Sequence, residues 1–237
     1  MAPAEEIEPE KQLAAQAAAQ LVQDGMTVGL GTGSTAAYLL PALAERRLEI
    51  RCVATSPATM QAARRLGIEV VEFSGLEAPA RLDLTIDGAD QVAPSGWLVK
   101  GGGAAHTREK AVAAAAERFV VIVSANKLVA ELTPPIPLEL ADFGLAATLA
   151  RLAPVALRGV PRSPDGGVIA DYMGPVGDPS ELATRLSASV GVVEHGLFDA
   201  AMVAEVLIGR GHEVERMIPP PARDAGRPSS LRRTPQL

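Results

Sequence analysis

Short, unbroken apolar runs recur along the first half of the chain, at Met26–Leu30, Ile50–Ala54, Ile68–Phe73, Leu82–Ile86 and Phe119–Val123. The stretches Lys11–Gln23, Ala36–Arg47, Ser56–Leu66 and His106–Arg118, in contrast, have helical character, and Asp24-Gly25 and Gly67 stop two of them. A strand buried on both faces reads as a continuous apolar run, and such strands alternating with helices build a parallel sheet covered on both sides. This pattern predicts an α/β chain with a Rossmann-like parallel sheet. Trp97–Val99 is expected to add a short strand.

The rhythm changes after Leu132. Thr133-Pro-Pro-Ile-Pro137 is stiff and marks a domain boundary. Beyond it come a helix (Phe143–Ala153), a turn at Pro164-Asp-Gly-Gly167, a strand (Val168–Tyr172), a helix (Pro179–Ala188) and a strand around Glu194–Phe198. That alternation predicts a small ferredoxin-like α+β layer. Val203–Ile208 and Val214–Ile218 read as strands, one of them rejoining the first sheet. The expected domains are therefore 1–133 plus 207–218 (Rossmann-like, catalytic) and 134–206 (small α+β). Residues 219–237 hold prolines, serines and four arginines with almost no apolar content, and are expected to be a disordered tail.

Composition narrows the function classes. The 237 residues are 48% hydrophobic but only 3% aromatic, which predicts an aliphatic core. A formal charge of −6 argues against a nucleic-acid partner. Cys52 is the single cysteine, so neither an intrachain disulfide nor a thiolate metal cluster is available. No apolar run reaches the roughly 18 residues of a membrane span, and the acidic start Met1–Glu10 is unlike a signal peptide. A cytoplasmic protein without a membrane partner is expected.

Three loops carry chemistry. Gly31-Thr-Gly-Ser-Thr35 follows the first strand and opens a helix, where open α/β sheets hold phosphate on backbone N–H groups and the helix dipole. A dinucleotide site would require an acidic residue at the tip of the second strand. That tip is Ala54-Thr-Ser56, and no Walker lysine follows the glycines. The hydroxyls of Thr32, Ser34 and Thr35 beside Gly33 instead suit a phosphomonoester; the competing reading is a glycine-rich strand–helix turn. Asp87-Gly88-Ala89-Asp90 lies beyond an apolar strand, so both carboxylates should sit at the C-terminal sheet edge. Alone it is an ordinary turn, and its carboxylates would also suit Mg²⁺, although no third ligand lies nearby. Lys100-Gly101-Gly102-Gly103 precedes a helix bearing Glu109. Glycine N–H groups, a lysine and a helix N-terminus can hold an oxyanion beside a carboxylate base. The competing reading of Glu109 is an exposed glutamate paired with Arg108 or Lys110. His106, His195 and His212 lie at no metal-binding spacing and are read as non-catalytic, with His106 a candidate pocket wall.

Together these residues resemble ribose-5-phosphate isomerases of the A type over roughly residues 8 to 218. The carriers are Gly-Thr-Gly-Ser-Thr at 31–35, Asp-Gly-Ala-Asp at 87–90 and Lys-Gly-Gly-Gly-Ala-Ala-His-Thr-Arg-Glu-Lys at 100–110. Ser-Ala-Asn-Lys at 124–127, Gly-Val-Val at 191–193 and Gly-Leu-Phe at 196–198 support them. The resemblance implies a cofactor-free, metal-free aldose–ketose isomerase that interconverts ribose 5-phosphate and ribulose 5-phosphate. It further implies a homodimer or homotetramer. By the same resemblance Glu109 is the base between C2 and C1, and Lys100 with Gly101–Gly103 stabilises the enediolate. Asp87, assisted by Asp90, handles hydroxyl protons and ring opening, although either carboxylate suits that task. Thr32–Thr35 and Lys127 hold the substrate, and Lys11 stands where relatives often carry a phosphate-facing lysine. Ser124 and Asn126 depart from the family pattern, which has an acidic residue near 124 and Ser or Thr at 126. A sugar-phosphate sensor, a nicotinamide-dependent oxidoreductase, and a deaminase or lactonase of similar architecture are the competing classes. None of them requires the lysine–glycine–glutamate motif.

Overall fold

The computed structural model describes residues 4–220. Helix α1 (Ala4–Ala19) is followed by β1 (Thr27–Leu30), α2 (Ser34–Arg46), β2 (Arg51–Ala54), α3 (Pro57–Arg65), β3 (Glu69–Val70) and β4 (Leu82–Asp87). The chain continues through β5 (Gln91–Val92), β6 (Leu98–Val99), α4 (His106–Ala115) and β7 (Ala116–Ser124). The second unit holds β8 (Ile136–Leu140), α5 (Leu145–Leu152), β9 (Val155–Leu157), β10 (Val168–Tyr172), α6 (Pro179–Ser187) and β11 (Val192–His195). After β12 (Leu197–Phe198), β13 (Val203–Arg210) and β14 (Glu213–Met217) return to the first sheet.

That first sheet has the order β14-β13-β7-β4-β1-β2-β3, parallel throughout except for the edge strand β14. From β1 the chain winds outward through β2 and β3, then crosses back to β4 and continues the opposite way. The winding reverses between β1 and β4, the point where ligands bind at the C-terminal ends of an open sheet. Leu30 pairs with Ile86, so the loops after these strands leave the sheet side by side. Their core is aliphatic, as composition requires: Leu30, Leu39, Leu43, Leu84, Ile86 and Ile122 are all buried in one cluster.

Helix α1 starts earlier and ends earlier than the predicted Lys11–Gln23. Arg46 holds its C-terminal end, donating to the carbonyls of Ala19 and Val22, the first of which also accepts from the Val22 N–H at 3.3 Å. Glu10 fastens the helix to the sheet, accepting from the N–H groups of Ala125 at 3.1 Å and Gly211 at 2.9 Å.

The second unit is a four-stranded antiparallel sheet of order β11-β8-β10-β9, the ferredoxin-like βαββαβ arrangement. Ile136, Leu138, Leu140, Leu182 and Leu186 form its buried interior. Strand β9, which the sequence hid behind Pro154, completes it. Three boundaries differ from expectation. The strand around Glu194–Phe198 is two strands broken at Gly196, where a Cβ would lie 2.1 Å from the Lys100 carbonyl. β13 opens at Val203, so residues 203–206 pair with the large sheet rather than belonging to the small unit. Pro219, placed in the tail by composition, is buried against Gly96; the tail at 221–237 lies outside the described residues.

A third sheet, β12-β6-β5, joins the two units. It sets the position of Lys100, which follows β6 and whose N–H donates to the Gly196 carbonyl at 2.8 Å.

Candidate active site

The loop after β1 approaches β4 so closely that only glycine fits at position 31: a Cβ there would lie 2.0 Å from Asp87 Oδ1. That oxygen accepts from the N–H of Thr32 at 3.1 Å and of Gly88 at 2.7 Å. Gly33 caps α2 with φ of 117°, and no side chain occupies the helix N-terminus, leaving its N–H groups facing the cleft. Ser34 is exposed there and Thr35 is buried. The Thr32 hydroxyl turns inward instead, to the hydroxyls of Thr55 at 2.7 Å and Thr59 at 3.1 Å.

Lys100 is 2% exposed and lies between two buried carboxylates, with Nζ 3.0 Å from Asp87 Oδ2 and 3.2 Å from Glu109 Oε2. It also donates to the Gly88 carbonyl, and the Phe198 ring lies 5.5 Å from Nζ. Burial acts against its ammonium, but Asp87 and Glu109 outweigh it and hold the pKa at about 12. Burial pushes Asp87 above the usual carboxylate range, against the pull of Lys100. Glu109 sits in the first turn of α4 and is pushed up to about 8 by burial, with Lys100 pulling it down and Asp87 adding to the rise. One cation thus serves two desolvated carboxylates, which keeps the proton affinity of Glu109 near neutrality.

Thr32, Gly33, Ser34, Thr35, Gly88, Ala89, Asp90, Lys100, Gly101, Gly102, Gly103, Glu109 and Lys127 line one cleft. Three motifs far apart in sequence therefore converge at the switch point. Asp90 accepts from the Gly102 N–H at 2.7 Å, joining the second motif to the third. Asp87 does not line the cleft; it lies behind Lys100. Lys11 does not line it either, and its ammonium is held by Glu8 at 2.6 Å. His106, expected as a pocket wall, is fully buried beneath Gly101, with burial and then the Lys110 charge lowering its pKa to about 4.

Sequence reasoning missed the groups that hold this cleft from the small unit. Thr107 donates to the buried Glu139 on β8, Arg108 forks onto Asp165 at 2.8 Å, and Lys110 pairs with Glu194 at 2.6 Å. The residues flanking Glu109 are thus fastened to three parts of the small unit, two strands and the turn before β10. The competing reading paired Glu109 with Arg108 or Lys110; both instead reach Asp165 and Glu194 of the second unit.

An uncapped helix N-terminus beside a buried lysine and a buried carboxylate, on a Rossmann-like sheet, is the arrangement a sugar-phosphate isomerase requires. Residues 51–213 match the family described as Ribose 5-phosphate isomerase A (phosphoriboisomerase A). The DeoR C terminal sensor domain matches residues 7–93, a span that stops before Lys100 and Glu109. The chain is 43% identical over 225 residues to ribose-5-phosphate isomerase A of Caulobacter sp. (strain K31), covering 89% of this chain and 98% of that protein. The crystal structure of ribose 5 phosphate isomerase A from Neisseria gonorrhoeae superimposes with a TM-score of 0.84 at 30% identity, over 90% of this chain and 97% of that one. A D-ribose-5-phosphate isomerase in complex with phospho-erythronic acid gives 0.83 at 32% identity, over 90% and 99%. The chain belongs to the ribose 5-phosphate isomerase A family. It is an aldose–ketose isomerase, interconverting D-ribose 5-phosphate and D-ribulose 5-phosphate through an enediolate.

Proposed function

We propose that Glu109 is the base of this isomerisation and that Lys100 and the glycine loop are its oxyanion site. The observation that carries the reading is the 3.2 Å contact between Lys100 Nζ and Glu109 Oε2 at the cleft. In the open-chain aldose, Glu109 takes the C2 proton, C1=C2 forms, and the electrons of the C1 carbonyl move to O1. Lys100 and the N–H groups of Gly101 and Gly103 stabilise that oxygen, while the Gly102 N–H is taken by Asp90. Glu109 returns the proton to C1, the O2 hydroxyl loses its proton as C2=O forms, and O1 gains one. A carboxylate raised to about 8 is a stronger base than a free glutamate near ~4.3, and a single such group can serve both adjacent carbons.

Asp90 lines the cleft and Asp87 does not, which favours Asp90 for the proton transfers that open the sugar ring. Asp87 acts through Lys100. The phosphate is assigned to Gly33, Ser34, Thr35 and Lys127, on the uncapped end of α2, where remote binding energy orients the reacting carbons. The charge on O1 is carried without a metal in this scheme, so EDTA leaves turnover intact. Deuterium at C2 of ribose 5-phosphate tests the base: the wild type should show a primary isotope effect and loss of label to solvent. Retention of both in Glu109→Gln would remove Glu109 from the role.

The separate seven-stranded and four-stranded sheets support two domains, a catalytic one of 1–133 with 203–218 and a small one of 134–202, with Ala93, Val99 and Leu132 packing against the small sheet's core. A homodimer or homotetramer is supported by Phe143 and Val190, both large and exposed on the small unit (98% and 79%). No helix among the described residues is long and apolar enough to cross a membrane. A cytoplasmic location is supported by the single, buried cysteine. Sedimentation at several concentrations checks the assembly.

A further inference from the structure

Arg158 leaves the end of β9 and reaches out of the small unit. Nε and Nη2 fork onto Asp171 of β10 at 2.7 and 2.6 Å. That bidentate hold leaves Nη1 to donate to two carbonyls of the glycine loop, Gly101 at 2.8 Å and Gly102 at 3.3 Å. The C=O and N–H of a trans peptide point to opposite sides. The 101–102 peptide is therefore strung between Arg158 on its carbonyl side and the Asp90 carboxylate on its N–H side. The 102–103 peptide has its carbonyl drawn the same way, which turns the Gly103 N–H toward the cleft that Gly103 lines beside Lys100 and Glu109. The Ala104 N–H also donates to the Gly101 carbonyl at 3.0 Å; apart from that turn, three consecutive glycines, the first with φ of 108°, are among the least constrained backbones available to a protein.

We propose that Arg158, oriented by Asp171, is a positioning residue for the isomerisation: it fixes the glycine-loop peptides so that the Gly103 N–H faces the developing oxyanion. Arg158 does not line the cleft and acts only through the carbonyls it holds. The inference rests on the oxyanion reading of the glycine loop given above. Lysine cannot substitute, because a single ammonium lacks the planar fork that grips Asp171 with one edge and the loop with the other.

The test compares wild type, Arg158→Ala, Arg158→Lys and Asp171→Asn with two ligands. One is a phosphorylated four-carbon aldonic acid, whose carboxylate carries charge as the enediolate does. The other is a phosphorylated alditol, which keeps the phosphate and hydroxyls without that charge. In Arg158→Ala kcat should fall about tenfold to a hundredfold, the range for a displaced catalytic donor, with KM for ribose 5-phosphate little changed. Affinity for the aldonic acid should fall alongside kcat while the alditol binds as before, and added guanidinium ion should recover part of the lost kcat. If Arg158→Ala does not fold, Arg158→Lys, which retains the cation, should show the same selective loss. Equal loss of both ligands, or wild-type kcat with the wild-type ligand preference, would overturn the positioning role. A wild type that does not favour the aldonic acid would overturn the oxyanion reading, and this inference with it.

Discussion

Lys100 Nζ lies 3.2 Å from Glu109 Oε2 in a setting where both side chains are at most 5% exposed, and it holds Asp87 at 3.0 Å on its other side. Removing the cation leaves two buried carboxylates without compensation. Breaking a buried ion pair by deleting one partner costs about 3–5 kcal/mol. Lys100→Met should therefore lower the denaturant midpoint as well as abolish turnover. An unchanged midpoint would mean that both carboxylates are already neutral.

The raised pKa of Glu109 sets a pH dependence. The base must be ionised, so kcat/KM should rise with pH and level off above about 8. Stability runs the other way. Between the unfolded value of 4.5 and about 8, the folded chain binds a proton that the unfolded chain does not, so this contribution is lost as pH rises through that window. A pH–rate profile together with melting curves from pH 5 to 9 checks both signs (roughly the span in which a group near 8 titrates). In Glu109→Gln the stability slope should flatten.

On the acid side His106 and His195 contribute. Burial, then the Lys110 charge, holds each near 4, so each stays neutral in the fold while the unfolded chain protonates near 6.5. Their contribution is complete above 6.5 and lost as pH falls toward 4. His106→Asn should reduce the steepness of acid unfolding; equal steepness would show that other groups drive it.

Lys127 lines the cleft, whereas Lys11 is committed to Glu8. Lys127→Ala should raise KM with a smaller change in kcat, the pattern of lost ground-state binding. Lys11→Ala should change KM less. The reverse order would place the phosphate against α1.

What the sequence made legible was local. Glycines 31 and 101–103, Asp87, Asp90, Lys100 and Glu109 stand beside strand ends or helix starts that apolar periodicity locates; a parallel sheet with one switch point brings Gly31 and Asp87 together, while the β12-β6-β5 sheet brings in Lys100. Arg158, Asp171 and Glu139 were hidden because their partners lie 32 to 57 residues away, or across a hairpin whose first strand has only three residues. Lys11 was visible as a cation, but the Glu8 contact that occupies it depends on how α1 packs. The strand at Val203 was legible, but its residues 203–206 were divided from the large sheet because Val203–Ile208 reads equally well as a strand of either unit; pairing with β7 decides it.

The most direct test of the account is ribulose 5-phosphate formation from ribose 5-phosphate in EDTA, for wild type and Glu109→Gln. The account predicts metal-independent turnover in the wild type and a loss of about a hundredfold to ten-thousandfold in the variant, the usual contribution of a positioned base, with sugar-phosphate binding retained. Wild-type turnover in Glu109→Gln would contradict it and move the base elsewhere in the cleft.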